Sequence, residues 1–107
     1  MNKNYEKYAE IYRALGDPNR LMIMDMLAGG ELCACKILEK FGITQPTLSH
    51  HMKTLCACAL VKGRKQGKWT YYSITAEGRK NAAKMLQKIS GIPEKINENR
   101  NEGCSDG

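Results

Sequence analysis

Three residues, "GIT" at 42–44, are all that separate two segments with helical periodicity. The first, "LCACKILEKF", runs into Gly42, a residue type that closes helices in the left-handed conformation. The second, "QPTLSHHMKTL", follows Thr44 as its N-cap and carries Pro46 in the first turn, where a missing N–H does no harm. Leu48, Met52 and Leu55 share one face of that second helix, which leaves Gln45, Thr47, Ser49, His50 and Lys53 pointing outward. The rhythm then changes. "LVKGRKQGKWTYYSIT" has β-prone ends, Leu60–Val61 and Trp69–Ile74, around a basic, glycine-bearing turn at 64–68. Two helices joined by so short a turn and followed by a basic hairpin form a helix-turn-helix with a wing.

The flanks supply the rest of a mainly α domain with a small β-hairpin. Tyr5, Tyr8, Ile11, Tyr12 and Leu15 define a first helix that ends at Gly16. The three tyrosines read as core or dimer packing. Asp17 caps a second helix with Pro18 at its first position, running to the Gly29–Gly30 stop. Thr75 caps a last helix, whose apolar stripe is Ala82, Met85, Leu86 and Ile89. From Gly91 the chain is polar and lacks a core stripe. Residues 1–90 therefore form one winged domain, and 91–107 a flexible polar tail.

Lys and Arg number 17 against 11 Asp and Glu, a net charge of +6, which favours a polyanionic partner. No apolar run approaches the length of a membrane span and no signal-peptide pattern opens the chain, so the reading is cytoplasmic. In double-stranded DNA, Gln45 can read adenine edges, and Thr47 and Ser49 are permissive readers. His50 faces the groove while His51 packs inward. Lys53, Arg64, Lys65 and Lys68 suit phosphates. A merely solvated face of a small α+β domain would carry the same residue types.

The segments "ALGDPNRLMIMDML", "ELCACKILEKFGITQPTLSHHMKTL", "LVKGRKQGKWTYYSIT" and "EGRK" resemble the ArsR/SmtB family of metal- and metalloid-responsive repressors. The resemblance covers roughly residues 8–80. It implies a homodimeric winged helix, with the first and last helices at the dimer interface. It also implies repression of a resistance operon, relieved when an ion binds. "ELCAC" is similar to the arsenic-sensing branch, whose thiolates bind As(III) or Sb(III). The ligands this implies are Cys33 and Cys35. That branch often has a further cysteine three residues later, where this chain has Leu38. Cys104 is the first choice for a third thiolate and Cys58 the next. Cd(II) and Zn(II) rank behind the trivalent ions.

Five cysteines in a reducing compartment are free thiols or metal ligands rather than a disulfide framework. Residues two apart on an ideal helix diverge by about 200°. Cys33 and Cys35 could then share an ion only by distorting the first turn of their helix, which would disturb the recognition helix resting on it. A helix N-terminus lowers thiol pKa and favours soft-ion capture. Cys56 reads as a small buried hydrophobe. Two alternatives stay open: a structural zinc domain using Cys33, Cys35, Cys56 and Cys58, and a redox-sensing thiol repressor. Without a Cys-x-x-Cys motif, a βαβ setting or a catalytic base, the chain does not read as an enzyme.

Overall fold

A computed structural model describes residues 4–91. Helices α1 (Asn4–Leu15) and α2 (Pro18–Leu27) are followed by a two-residue strand, β1 (Leu32–Cys33). Next come α3 (Ala34–Phe41), α4 (Gln45–Ala57), the strands β2 (Val61–Gln66) and β3 (Trp69–Ile74), and α5 (Ala76–Ser90). Local chemistry sets most of these limits. The Asp17 carboxylate accepts the backbone N–H groups of Asn19 and Arg20, and Thr44 and Thr75 cap α4 and α5 through Thr47 and Gly78. Gly42 closes α3 at φ +75°.

Two expectations need correction. Leu32 and Cys33 do not belong to the third helix: they are extended and pair with β3, Leu32 opposite Tyr72 and Cys33 opposite Tyr71. Cys33 is the N-cap of α3, with φ −72° and ψ 146°. The hairpin is also longer than its β-prone ends suggest. Arg64 and Lys65 lie inside β2, and the turn is only Gly67–Lys68, with glycine at the first central position at φ +65°. The three strands form an antiparallel sheet in the order β1-β3-β2.

The core gathers Ile11, Ile23, Leu27, Ile37, Leu48, Met52, Leu55, Leu60, Val61 and Met85, so every helix contributes to it. Leu32 and Tyr72, a registered pair, pack against that core from the sheet. The exit from α4 is a Schellman motif: Leu60 N–H bonds Leu55 O and Ala59 N–H bonds Cys56 O. Ala59 fills the left-handed position, at φ +63°, where glycine is usual.

Candidate nucleic-acid interface and thiol site

Helix α4 is seated by Leu48, Met52 and Leu55, all buried, and by one polar clamp. His51 is 7% exposed. Arg20 on α2 donates from Nη1 to His51 Nδ1 at 3.0 Å and from Nε to Ala14 O at 2.6 Å. Arginine has no acceptor, so Nδ1 of His51 is the accepting nitrogen. One guanidinium thus ties α1, α2 and α4 together. With that face inward, Gln45, Thr47, Ser49, His50 and Lys53 are all exposed, as the helical spacing of Leu48, Met52 and Leu55 predicts. The Thr47 hydroxyl already accepts from Thr44 Oγ1 at 2.9 Å, so it is held in one orientation.

The wing departs further from expectation. Lys62 to Lys68 are exposed along β2 and the turn. Arg64, expected as a free phosphate contact, is engaged: Nε and Nη2 donate to the two carboxylate oxygens of Glu31 at 3.0 and 2.8 Å. Nη1 donates to Gln66 Oε1 at 2.6 Å, and the guanidinium carbon stands 4.8 Å from the Tyr71 ring centre. The hydrogen bond from Arg64 holds the Glu31 carboxyl below its ordinary range, and Glu31 raises Arg64 in turn. The wing also carries an apolar feature. Trp69 is 47% exposed, with Lys68 Nζ 5.5 Å from its ring centre.

At the opposite edge of the sheet, Cys35 Sγ donates to Cys33 Sγ at 2.7 Å. Cys33 Sγ also accepts the Cys35 backbone N–H at 3.4 Å. The extended backbone of Cys33 makes this possible: outside the helix it escapes the divergence that two helical residues would show, so no unwinding is needed to bring the sulfurs together. Hydrogen bonding from the Cys35 thiol lowers the Cys33 pKa, aided by the backbone N–H groups of Cys35 and Lys36 and by the Lys36 charge, against an opposing desolvation. Donating that bond raises Cys35, as do desolvation and the neighbouring Cys33 charge. The contact thus splits the pair, with the Cys33 thiol shifted down and the Cys35 thiol shifted up.

The other cysteines behave differently. Cys56 and Cys58 pack partly buried against the core, and burial raises both thiols. Cys58 Sγ leans on Leu55 O at 3.5 Å, beside a cleft lined by Glu10, Arg13, Arg20 and His50. Among the described residues, no three His, Cys, Asp or Glu side chains come together to hold a metal ion. The tetrathiolate zinc site is accordingly not assembled within one protomer, and Cys58 does not join Cys33 and Cys35. Cys104 and the 91–107 tail, apart from Gly91, lie outside the described residues.

Residues 17–62 match the family described as bacterial regulatory protein, arsR family. An arsenical resistance operon repressor of Staphylococcus xylosus is 49% identical over 74 residues, covering 69% of this chain and 71% of that protein. The chain belongs to the ArsR family. An uncharacterised HTH-type transcriptional regulator of Methanocaldococcus jannaschii is 43% identical over 88 residues, 81% of this chain and 99% of the relative. The solved structure of HlyU from Vibrio cholerae superposes with a TM-score of 0.69 at 27% identity, over 83% of this chain and 97% of that one. The protein is thus an ArsR-family DNA-binding transcriptional regulator with a winged-helix fold, and not an enzyme. Among the described residues, no helix is long and apolar enough to cross a membrane.

For this ArsR-family chain, sequence reasoning missed Glu31, Trp69 and Tyr71. Glu31 carries no periodic signal, and its partner lies 33 residues away. Trp69 is visible as the chain's one tryptophan, set directly beside the basic turn, and could have been found on that ground.

Proposed function

We propose that this chain is a homodimeric cytoplasmic repressor that releases operator DNA when Cys33 and Cys35 capture a thiophilic ion, As(III) or Sb(III). The observation that carries this is the 2.7 Å approach of the two sulfurs at the start of α3, a contact that also lowers the Cys33 pKa. Two soft donors with no third histidine or carboxylate beside them among the described residues suit a soft ion, not a hard one. Thiolates sharing one ion at about 2.3 Å each stand roughly 3.3–3.8 Å apart, so capture requires Cys33 and Cys35 to separate slightly and to shed their thiol protons. Cys33 is anchored in β1; Cys35 sits in the first turn of α3. The adjustment therefore falls on the junction between sheet and α3. Cys104 is the proposed third thiolate, and Cd(II) and Zn(II), which favour four ligands, are the weaker choices. The 49% identity to an arsenical resistance operon repressor supports the same reading.

For DNA, Gln45, Thr47, Ser49 and His50 are the proposed base-reading face, and Lys53, Lys65 and Lys68 the phosphate contacts, with Arg64 held beside them. Tyr5, Leu86 and Ile89 leave apolar surface uncovered on α1 and α5, which suits a self-association face. A dimer would read an inverted repeat with half-sites about one helical turn apart. The test is fluorescence anisotropy of a labelled operator duplex titrated with arsenite. Wild type should release. Cys33→Ser, which keeps an oxygen able to cap α3, should bind the duplex yet need more than 100-fold more arsenite. Unchanged release in both Cys33→Ser and Cys35→Ser would refute the thiol site.

The same sulfur contact supports a second reading, oxidation. A peroxide would take the Cys33 thiolate to a sulfenic acid, and attack by the Cys35 thiol would then form a disulfide and expel water. Release by hydrogen peroxide without any ion, reversed by dithiothreitol, would favour it.

A further inference from the structure

Strand pairing places the thiols and the wing on a single row. Cys33 on β1 stands opposite Tyr71 on β3, and Tyr71 stands opposite Arg64 on β2. Directly opposed residues point to the same face of a sheet, with Cβ atoms about 4.5–5.5 Å apart. The neighbouring row, Leu32 and Tyr72, packs into the core, whereas Cys33 and Tyr71 do not join that cluster. Cys33, Tyr71 and Arg64 therefore share the face turned away from that cluster, Cys33 buried at one end of the row and Arg64 exposed at the other. Glu31, two residues before Cys33, closes the row by gripping Arg64 through both carboxylate oxygens, while the guanidinium lies over the Tyr71 ring.

An exposed ion pair is ordinarily weak, and Glu31 and Arg64 side chains are 37% and 49% exposed. This one has the features that distinguish a structural tie: bidentate geometry, a third bond from Arg64 to Gln66, and a stacked aromatic. It also spans the sheet where covalent connection is sparse. β1 has two residues and pairs only with β3, so the ion pair adds a direct tie from the thiol segment to β2, the strand that β1 does not adjoin.

We propose that Glu31 is a positioning residue that sets the wing through Arg64 and transmits rearrangement at Cys33 and Cys35 to the DNA-binding hairpin. Two consequences follow from the geometry. In this structure Arg64 is a strut, with its charge answered by Glu31 and three of its five donor hydrogens occupied, so it adds less to phosphate binding than its neighbours Lys65 and Lys68. Glu31 directly precedes β1, so strain at the junction of β1 and α3 on ion capture reaches it through two residues, and the wing moves or loses its tie. The inference rests on the thiol-sensing reading above for its signal, and on the ion pair alone for its route.

The experiment measures operator affinity of the full-length protein with and without arsenite, across a salt series. Wild type gives the coupling ratio; ratios of 5–150 are usual for such linkage. Glu31→Gln should keep the arsenite affinity of the DNA-free protein within twofold, but shrink the coupling ratio at least threefold. Its salt dependence should steepen by up to about 0.9 in log–log slope, because a wing cation is freed. Arg64→Gln should lose the same coupling, and Glu31→Gln with Arg64→Gln should lose no more than either alone, the signature of two residues acting as one. A role in surface charge alone would instead give additive changes and an intact ratio. An unchanged ratio in Glu31→Gln, or additive losses in the double variant, overturns the proposal. A wild type insensitive to arsenite overturns the thiol-sensing reading and this route with it.

Discussion

Replacing Arg20 by alanine would test whether one guanidinium sets the pose of the recognition helix. Arg20 bonds Ala14 O at 2.6 Å and His51 Nδ1 at 3.0 Å, so the change removes two charge-assisted hydrogen bonds at once. Such bonds contribute about 1.5–3 kcal/mol each when buried. Arg20 is only half-buried, which favours the low end. His51 Nδ1, on a side chain 7% exposed, is then left without its donor. A loss of about 2–4 kcal/mol results, and at roughly 4–8 °C per kcal/mol for a domain of this size, Tm should fall by about 8–30 °C. Arg20→Lys should fall between, because a single ammonium lacks the planar fork that reaches both acceptors. Far-UV circular dichroism melts, with urea unfolding to confirm an unchanged m-value, measure this directly. A drop of less than about 4 °C for Arg20→Ala would show that α4 is held by its apolar face alone.

Other perturbations probe separate elements. A Cβ on buried Gly78 would lie 2.6 Å from Thr75 Oγ1 and 2.9 Å from Leu60 Cα. Gly78→Ala should therefore cost about 1–3 kcal/mol in a chemical melt; a neutral result would mean that the start of α5 can slide. Ala59→Gly should gain up to about 1 kcal/mol by relieving the left-handed strain at φ +63°, less the entropy that glycine adds to the unfolded chain. Lys65→Gln or Lys68→Gln should each flatten the salt dependence of DNA binding by up to about 0.9 while leaving sequence preference alone; altered preference would contradict a phosphate role. The Glu31 carboxyl is lowered by the Arg64 hydrogen bond. At Asp17 desolvation pushes upward but is outweighed by the backbone N–H groups of Arg20 and Asn19. Both folded values lie below the unfolded ones, so the stability they add is present above about pH 4.3 and lost as pH falls through the folded values. Glu31→Gln should accordingly lose less stability than wild type between pH 5 and 3, as thermal melts across that range would reveal.

The helices and their ends were legible in the sequence because their causes are local. Asp17, Thr44 and Thr75 each cap a backbone N–H within three residues, and Gly42 needs only its own freedom at positive φ. The outward set from Gln45 to Lys53 follows from helical period and the burial of Leu48, Met52 and Leu55. Period and capping are near-neighbour properties, written wherever the residues are written. The thiol site obeys a different logic. Cys33 and Cys35 were readable as a pair, but Cys33 is extended because β3 offers it a strand to join at Tyr71, 38 positions further along the chain. A strand of two residues has no period to detect. Its pairing with β3 decides that the sulfurs meet without any unwinding of α3, and the grip of Glu31 on Arg64 decides that one wing cation is already spoken for. Those outcomes depend on sheet register and on contacts between distant segments, which exist only once the core has drawn β1, β2 and β3 together.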